Sequence, residues 1–533
     1  MPPLTDLRQK IRALFDHPAL SWLKGENARR DVCGLLIVLM ACMTYLHNLN
    51  DPNKAFWDEV YYVTATERYQ EGVASYASHP PLGLMLIAAG EAIAGKNDKI
   101  DTHPLALTKK TQKETPLPDG YNFYGARLMS ALFGVMGAFV FYMIMLTLWN
   151  RAMTAFAFSL IYVFENAYIV HFRAAMLDSF QYVFVMAAVW VFLQLFLKRI
   201  EKPAQRLGMW YAAFGTLIGL AVMVKVNVVV FAALGGFLIL RDAYDHRAEL
   251  KAYIPRALKA SVLMAATFVT VIAAVFTLHV LINPNNPPPE SAAGNFDRQH
   301  MPQSYQDYLA GERPLTPQIV WDATRGYYSF MNNDFTHIVK TEPNASHPIL
   351  WPLMSKAITY RWDSSKGITS YVQMIGNVAQ WLTAFVALWV ALVMIMRRLS
   401  GTSRYLKGPE FSRDMNLLMA FMAMYAVFMG AHMYLGTKRV MYIHHYIPAL
   451  SLSYFILALV VKIGFQRFKV AVKWQAASIA AMLAVFLISF AFYSPLTFHK
   501  RLTLKQCEMR NVPLKVVNCH VPKAKKPPTP AVS

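Results

Sequence analysis

Leu220-Ala-Val-Met-Val-Lys225-Val-Asn-Val-Val-Val-Phe231 decides how this chain crosses a membrane. It lies in an apolar run from about 208 to 241 that Lys225 and Asn227 break in the middle. One straight helix over that run would overshoot a hydrocarbon core about 30 Å thick by about 20 Å. The run therefore reads as two spans with a polar turn at Lys225-Val226-Asn227.

The split sets the direction of everything after it. Apolar segments near 32–48, 127–148, 152–170, 178–197, 208–224, 226–241, 258–282, 373–396, 415–435, 445–462 and 473–494 give about eleven spans. Placing Arg8, Lys10 and Arg12 in the cytoplasm and alternating from there puts nearly every basic cluster on the same side. Those clusters are Lys198–Arg206, Arg241–Lys259, Arg397–Arg413 and Lys462–Lys473. This is the pattern of the positive-inside rule, and without the split the later loops would invert. The chain thus divides into a cytoplasmic segment (1–31), a transmembrane domain (32–494) with outer loops at 49–126 and 283–372, and an extracytoplasmic tail (495–533). The start lacks a compact apolar core followed by a cleavage site, so it is not read as a signal peptide. The Pro/Lys-rich end from Lys523 reads as a disordered tail.

Composition agrees. Of 533 residues 56% are hydrophobic and 16% charged, against about 25% charged in soluble domains. The class is an all-α polytopic membrane protein. A formal net charge of +21 raises the question of nucleic acid, but the basic residues are dispersed over short loops between spans, so no nucleic-acid partner is expected. Cys507 and Cys519 share the tail. They suggest a disulfide if that side is oxidising, or two unrelated thiols if it is not.

The outer side collects polar groups from separate segments. Asp58 and Glu59 follow the first span, and Val60 to Tyr69 has the character of a short interfacial helix. Taken alone, an Asp-Glu pair is more often a helix N-terminal charge than a reaction centre. In Ser78-His79-Pro80-Pro81-Leu82-Gly83 the two prolines force His79 out of helical geometry and aim it rigidly. Leu82–Ala94 is apolar but too short to span, so it re-enters or lies at the interface. Arg127 begins the second span, Glu165 and Asn166 end the third, and Arg173 and Asp178 precede the fourth. Ionisable groups at this depth face protein or a water-filled cavity. For Arg173 the bland alternative is an ion pair with Asp178 or Glu165. Lys438-Arg439-Val-Met-Tyr-Ile-His444-His445 adds cations and histidines. Adjacent histidines do not share a helix face and no metal-ligand spacing is present, so no metal is expected.

Five blocks in this order resemble the polyprenyl- or dolichyl-phosphate-mannose protein O-mannosyltransferases, a family of GT-C glycosyltransferases. They are Asp58-Glu59, His79-Pro-Pro-Leu-Gly83, Arg127-Leu-Met-Ser, Arg173-Ala-Ala-Met-Leu-Asp-Ser179 and Arg439-Val-Met-Tyr-Ile-His-His-Tyr-Ile-Pro-Ala449. Trp351-Pro-Leu and Gly376-Asn-Val-Ala-Gln-Trp381 are weaker echoes. The resemblance covers most of the chain and implies a GT-C fold with about eleven spans and a catalytic first outer loop. The chain departs from the family's pattern at Leu84, where the family usually has lysine. Residues 283–372 are too few for the β-trefoil insertion of eukaryotic members, and the insert from Gly95 to Tyr124 is longer than expected. These departures point to a bacterial, inner-membrane enzyme.

The implied activity is transfer of mannose, with inversion, from a polyprenyl-phosphate carrier to protein Ser/Thr hydroxyls. Such chemistry needs a general base on the acceptor oxygen and fixed positive charge on the leaving phosphate. By resemblance Asp58 is the base and Glu59 orients the acceptor, with the two roles open to exchange. His79, Arg127 and Arg173 face the carrier phosphate, with Arg439 a weaker candidate. Asp178 orients Arg173 or lines the site, and His444 and His445 complete the substrate-binding set. No cofactor is implied. The partners are the polyprenyl-phosphate-linked donor, a protein or glycan acceptor and membrane lipids, with the oligomeric state left open. Two rivals stand beside this reading. One is a GT-C transferase acting on a cell-wall glycan or lipid. The other is a lipid or sugar transporter, which would show inverted repeats that the sequence lacks.

Overall fold

A computed structural model describes residues 25–519, apart from 109–112, 114, 202–206, 288–290, 292–297, 337–341, 366–367, 402–407, 512–516 and 518. The first 24 residues of the expected cytoplasmic segment and the Pro/Lys-rich end lie outside the described residues.

The elements run α1 (Glu26–Tyr45), α2 (Glu59–Gln70), α3 (Leu82–Ala94), α4 (Tyr124–Trp149), α5 (Ala152–Val163), α6 (Asn166–Phe172), α7 (Asp178–Glu201), α8 (Leu207–Val222), α9 (Ala233–Asp245) and α10 (Leu250–Ile282). Then follow α11 (Gln303–Leu309), α12 (Pro317–Thr336), β1 (Ile358–Ser365), β2 (Ile368–Met374), α13 (Val378–Leu399), α14 (Pro409–Gly436), α15 (Ile447–Arg467), α16 (Val472–Thr497), β3 (Arg501–Thr503) and α17 (Leu504–Arg510).

Every expected span falls on a helix. Among the described residues eight helices are long and apolar enough to cross a membrane, and nine if the bent pair α5–α6 counts as one span. The other two expected spans are α1 and α8. The first turns of α1 carry Glu26, Arg29, Arg30 and Asp31, and α8 is 16 residues long. The polar turn in the opening stretch is present: Lys225 is extended (φ −150, ψ 132) and a 3-10 segment, Val226–Ala232, leads into α9. The chain is a multi-pass membrane protein.

The two ends of the bundle differ. At one end, Arg30 donates to Asn150 (3.0 Å) and Lys462 to the Leu148 carbonyl (2.8 Å) and Asp414 (3.0 Å). The other end carries α2, α3, the long central segment and the tail.

Three features differ from the sequence reading. The third span bends by 61° between α5 and α6, so Glu165 stands at a break within the span and not at its end. Its carboxylate accepts from Ala167 N (3.1 Å), Asn377 N (2.9 Å), Trp381 Nε1 (3.2 Å) and Tyr454 Oη (2.7 Å). These donors replace the cation the sequence suggested. Second, the purely helical reading misses a small antiparallel sheet in the order β1-β2-β3. Ile358, Thr359, Tyr360 and Trp362 give β1 its β-branched and aromatic character. Third, the tail is not separate from the central segment, because Thr503 pairs with Ile368 and Arg501 with Ser370. Cys507 and Cys519 form a disulfide just beyond.

Candidate active site

The segment after α1 is fixed from Glu59. This side chain is fully buried and meets Arg127 in a two-pronged pair, Nε to Oε1 at 2.7 Å and Nη2 to Oε2 at 2.8 Å. Glu59 also accepts from Phe56 N (3.2 Å) and Ala175 N (2.9 Å). The remaining Arg127 donors go to the carbonyls of Leu49 (2.8 Å), Pro52 (2.9 Å) and Lys54 (3.1 Å). Its guanidinium is sandwiched between Phe56 and Phe123. A bidentate, desolvated pair with every donor used is a structural clamp. It ties α4 to the loop and leaves neither residue a face for substrate.

Asp58 is the opposite case. It precedes α2 as its N-cap residue without a side-chain cap bond. Its carbonyl accepts from Tyr61 N and Tyr62 N, but its carboxylate has no hydrogen bond or ion pair among the described residues. Burial raises its pKa above the ordinary carboxylate value, while Lys225, His171 and Arg439 pull it down and Asp178 pushes it up. A carboxylate left unpaired opposite cations is fit to take a proton. Trp57, immediately before it, holds φ +50 and is wedged between Tyr360, stacked at 5.3 Å, and Tyr442, edge-on at 5.3 Å.

One of these cations, Lys225, comes from the break between α8 and α9. Its Nζ lies 2.7 Å from Asp178 Oδ2, and His171 Nε2 is 2.9 Å from the same oxygen. Asn227 accepts from Gln181 (2.9 Å) and lies 3.4 Å from His432 Nε2. A cavity of about 240 Å³ opens here, lined by His79, Lys225, Asn227, His432, Arg439 and His445, with Tyr328 and Asn332 of α12 above. The Pro80-Pro81 turn and a hydrogen bond from Tyr327 Oη to the His79 carbonyl (2.8 Å) hold the His79 backbone. Ser78 is tied to Asp334 of α12. Burial, with Lys225 nearby, lowers the His79 pKa to about 3. At physiological pH His79 is therefore a neutral hydrogen-bonding group. Gly83 lets α3 approach closely: a Cβ there would lie 2.8 Å from Leu177 Cδ2 and 3.2 Å from Val224 Cγ1, one residue from Lys225.

Arg173 is elsewhere. Its guanidinium donates to the carbonyls of His47 and Asn48 and sits 5.1 Å from the Phe498 ring. It lines a separate small cleft with Asp51 and His499. The ion pairs Arg173–Asp178 and Arg173–Glu165 are not formed. His445 lines the cavity, stacks on His444 at 4.3 Å and caps its own turn through Tyr442. His444 stacks on His171 at 5.1 Å. Among the described residues no three His, Cys, Asp or Glu side chains are arranged to hold a metal.

Five residues of this constellation are not among the site residues the sequence suggests: Lys225, Asn227, His171, His432 and Tyr360. Lys225 and Asn227 carried a signal, since they interrupt an apolar run. His171 lies two residues before the Arg173 motif. His432 and Tyr360 carried none, because folding alone brings them in.

Residues 35–283 match the family model described as dolichyl-phosphate-mannose-protein mannosyltransferase. Residues 328–513 match the one described as the C-terminal four-TMM region of protein-O-mannosyltransferase. Curated relatives include dolichyl-phosphate-mannose–protein mannosyltransferase 6 of Saccharomyces cerevisiae, 25% identical over 37% of this chain and 25% of the relative. Mannosyltransferase 1 of Candida albicans is 26% identical over 40% of this chain and 23% of the relative. The matched part of the chain thus spans about a quarter of these relatives' length. Among solved structures, the S. cerevisiae protein O-mannosyltransferase Pmt1–Pmt2 complex bound to the sugar donor superposes with a TM-score of 0.74 at 15% identity. That match covers 91% of this chain and 92% of the other. At that identity the likeness is one of fold, the GT-C membrane glycosyltransferase architecture.

Proposed function

The chain belongs to the dolichyl-phosphate-mannose protein mannosyltransferase family, and from that premise we propose that it moves mannose, with inversion, from a polyprenyl-phosphate carrier to Ser/Thr hydroxyls of proteins. The observation that carries this reading is the unpaired Asp58 carboxylate in the field of Lys225 and Arg439, two cations that line a 240 Å³ cavity.

The step runs as a single displacement. The acceptor oxygen bonds to the anomeric carbon from the Asp58 side, and Asp58 takes the hydroxyl proton. The bond between that carbon and the phosphate oxygen breaks, and its electron pair leaves with the polyprenyl phosphate. Lys225 and Arg439 hold the charge that develops there. Neutral His79 and Asn227 supply hydrogen bonds to the phosphate or the sugar. Asp178 holds the Lys225 ammonium in place. Glu59 and Arg127 act one step back by fixing the loop that presents Asp58, and Arg173 braces the same loop through the His47 and Asn48 carbonyls.

In the proposed topology residues 1–31 are cytoplasmic and the end of the bundle carrying Asp58, with the tail, faces outward across a bacterial inner membrane. The distribution of basic clusters supports it. The test is a membrane assay with radiolabelled polyprenyl-phosphate-mannose, adding Ser/Thr peptides and glycans in turn. Label in peptide sustains the reading. Label only in glycan would replace it with a cell-wall transferase.

A further inference from the structure

Tyr360 comes from the central outer segment, yet it touches both halves of the site. It is the irregular residue of β1. Thr359 pairs with Gln373 and Arg361 with Val372, so Tyr360 falls between register partners. A bulge of this kind re-aims a side chain. Here it turns the ring onto the first outer loop, where it stacks on Trp57 at 5.3 Å and 19° and on Phe56 at 6.0 Å.

Its hydroxyl reaches the other half. Tyr360 Oη lies 2.6 Å from His171 Nδ1, and Met374 Sδ, a weaker acceptor, is at 3.2 Å. The phenol is buried and its pKa is pushed up, so it keeps its proton and donates to Nδ1. On the far side of the same ring Nε2 lies 2.9 Å from Asp178 Oδ2, a charge contact outside hydrogen-bond geometry, and Asp178 accepts from Lys225 at 2.7 Å.

We propose that Tyr360 is a positioning residue that sets the two halves of the reaction through separate parts of its side chain. The ring seats Trp57, and hence the general base Asp58. The hydroxyl orients His171, and hence the Asp178–Lys225 pair that receives the donor phosphate. The proposal rests on the reading of Asp58 and Lys225 given above.

The two attachments have separable consequences. Tyr360→Phe keeps the ring and loses the hydroxyl, so the KM for polyprenyl-phosphate-mannose rises about five-fold, the size of one net hydrogen bond, with kcat nearly unchanged. Because the hydroxyl acts through His171, the double variant Tyr360→Phe/His171→Gln shows no larger rise than His171→Gln alone. Tyr360→Leu loses the ring and lowers kcat as well. A Tyr360→Phe enzyme with unaltered KM, or one whose effect adds to that of His171→Gln, overturns the proposal even if Tyr360→Leu fails to fold. An unaltered protein that transfers mannose to no acceptor would instead overturn the functional reading.

Discussion

Asp58 and Glu59 are neighbours in sequence with opposite fates, and each fate predicts a different phenotype. Asp58→Asn should lower mannose transfer by about 10²- to 10⁴-fold, the usual contribution of a general base, with thermal unfolding unchanged. Glu59→Gln should act on the fold. Removing one partner of a buried ion pair costs about 3–5 kcal/mol, which a lowered unfolding temperature in detergent would register. Retained stability in Glu59→Gln would contradict the clamp. The pH profile follows from burial. The proposed base Asp58 would have to be unprotonated, and burial raises its pKa. Activity should therefore fall, as pH is lowered, at a pH above the ordinary aspartate value of about 4. A kcat/KM profile flat down to that value would exclude Asp58 as the base.

At the scale of the element, two breaks in apolar helices place polar groups at depth. The break at Lys225 was legible because a lysine and an asparagine interrupt a long apolar run. The break at Glu165 was legible only as a polar residue, not as a 61° bend. Its cause is a carboxylate that gathers donors from α6, from the start of α13 and from α15. Glu165→Gln would turn an amide NH2 toward some of those donors. The expected cost is about 1–3 kcal/mol of stability, read as a lower unfolding temperature, with the donor KM unchanged in the folded fraction. The Arg127, Arg173 and Asp178 motifs were read as one polar face. Their division into a clamp, a loop brace and a Lys225 partner depends on which element each meets.

At the scale of the molecule, the sheet joins the central segment to the tail, and Tyr360 of β1 reaches the segment after α1. The tail is held by β3 on β2 and by Cys507–Cys519, with 12 residues of sequence separation. Replacing both cysteines with serine should cost about 3 kcal/mol on the loop-entropy estimate. Because β2 carries β1, and β1 carries Tyr360, the same variant should also raise the donor KM. Unfolding of the purified variant with and without reductant, beside the donor KM, checks both.

The sequence by itself determined the order of the apolar helices, the turn at Lys225 and the end of the bundle where the polar motifs gather; against eleven expected spans, eight helices among the described residues, or nine with the bent pair, are long and apolar enough to cross. Hydropathy and charge act locally along the chain, and a span is as long as its apolar run. Only the tertiary structure decided which carboxylate is free. Glu59 and Asp58 differ in no local property that would say so. The difference is that Arg127, 68 residues on, uses all its donors on Glu59 and the surrounding carbonyls, leaving the Asp58 carboxylate with no hydrogen bond or ion pair among the described residues.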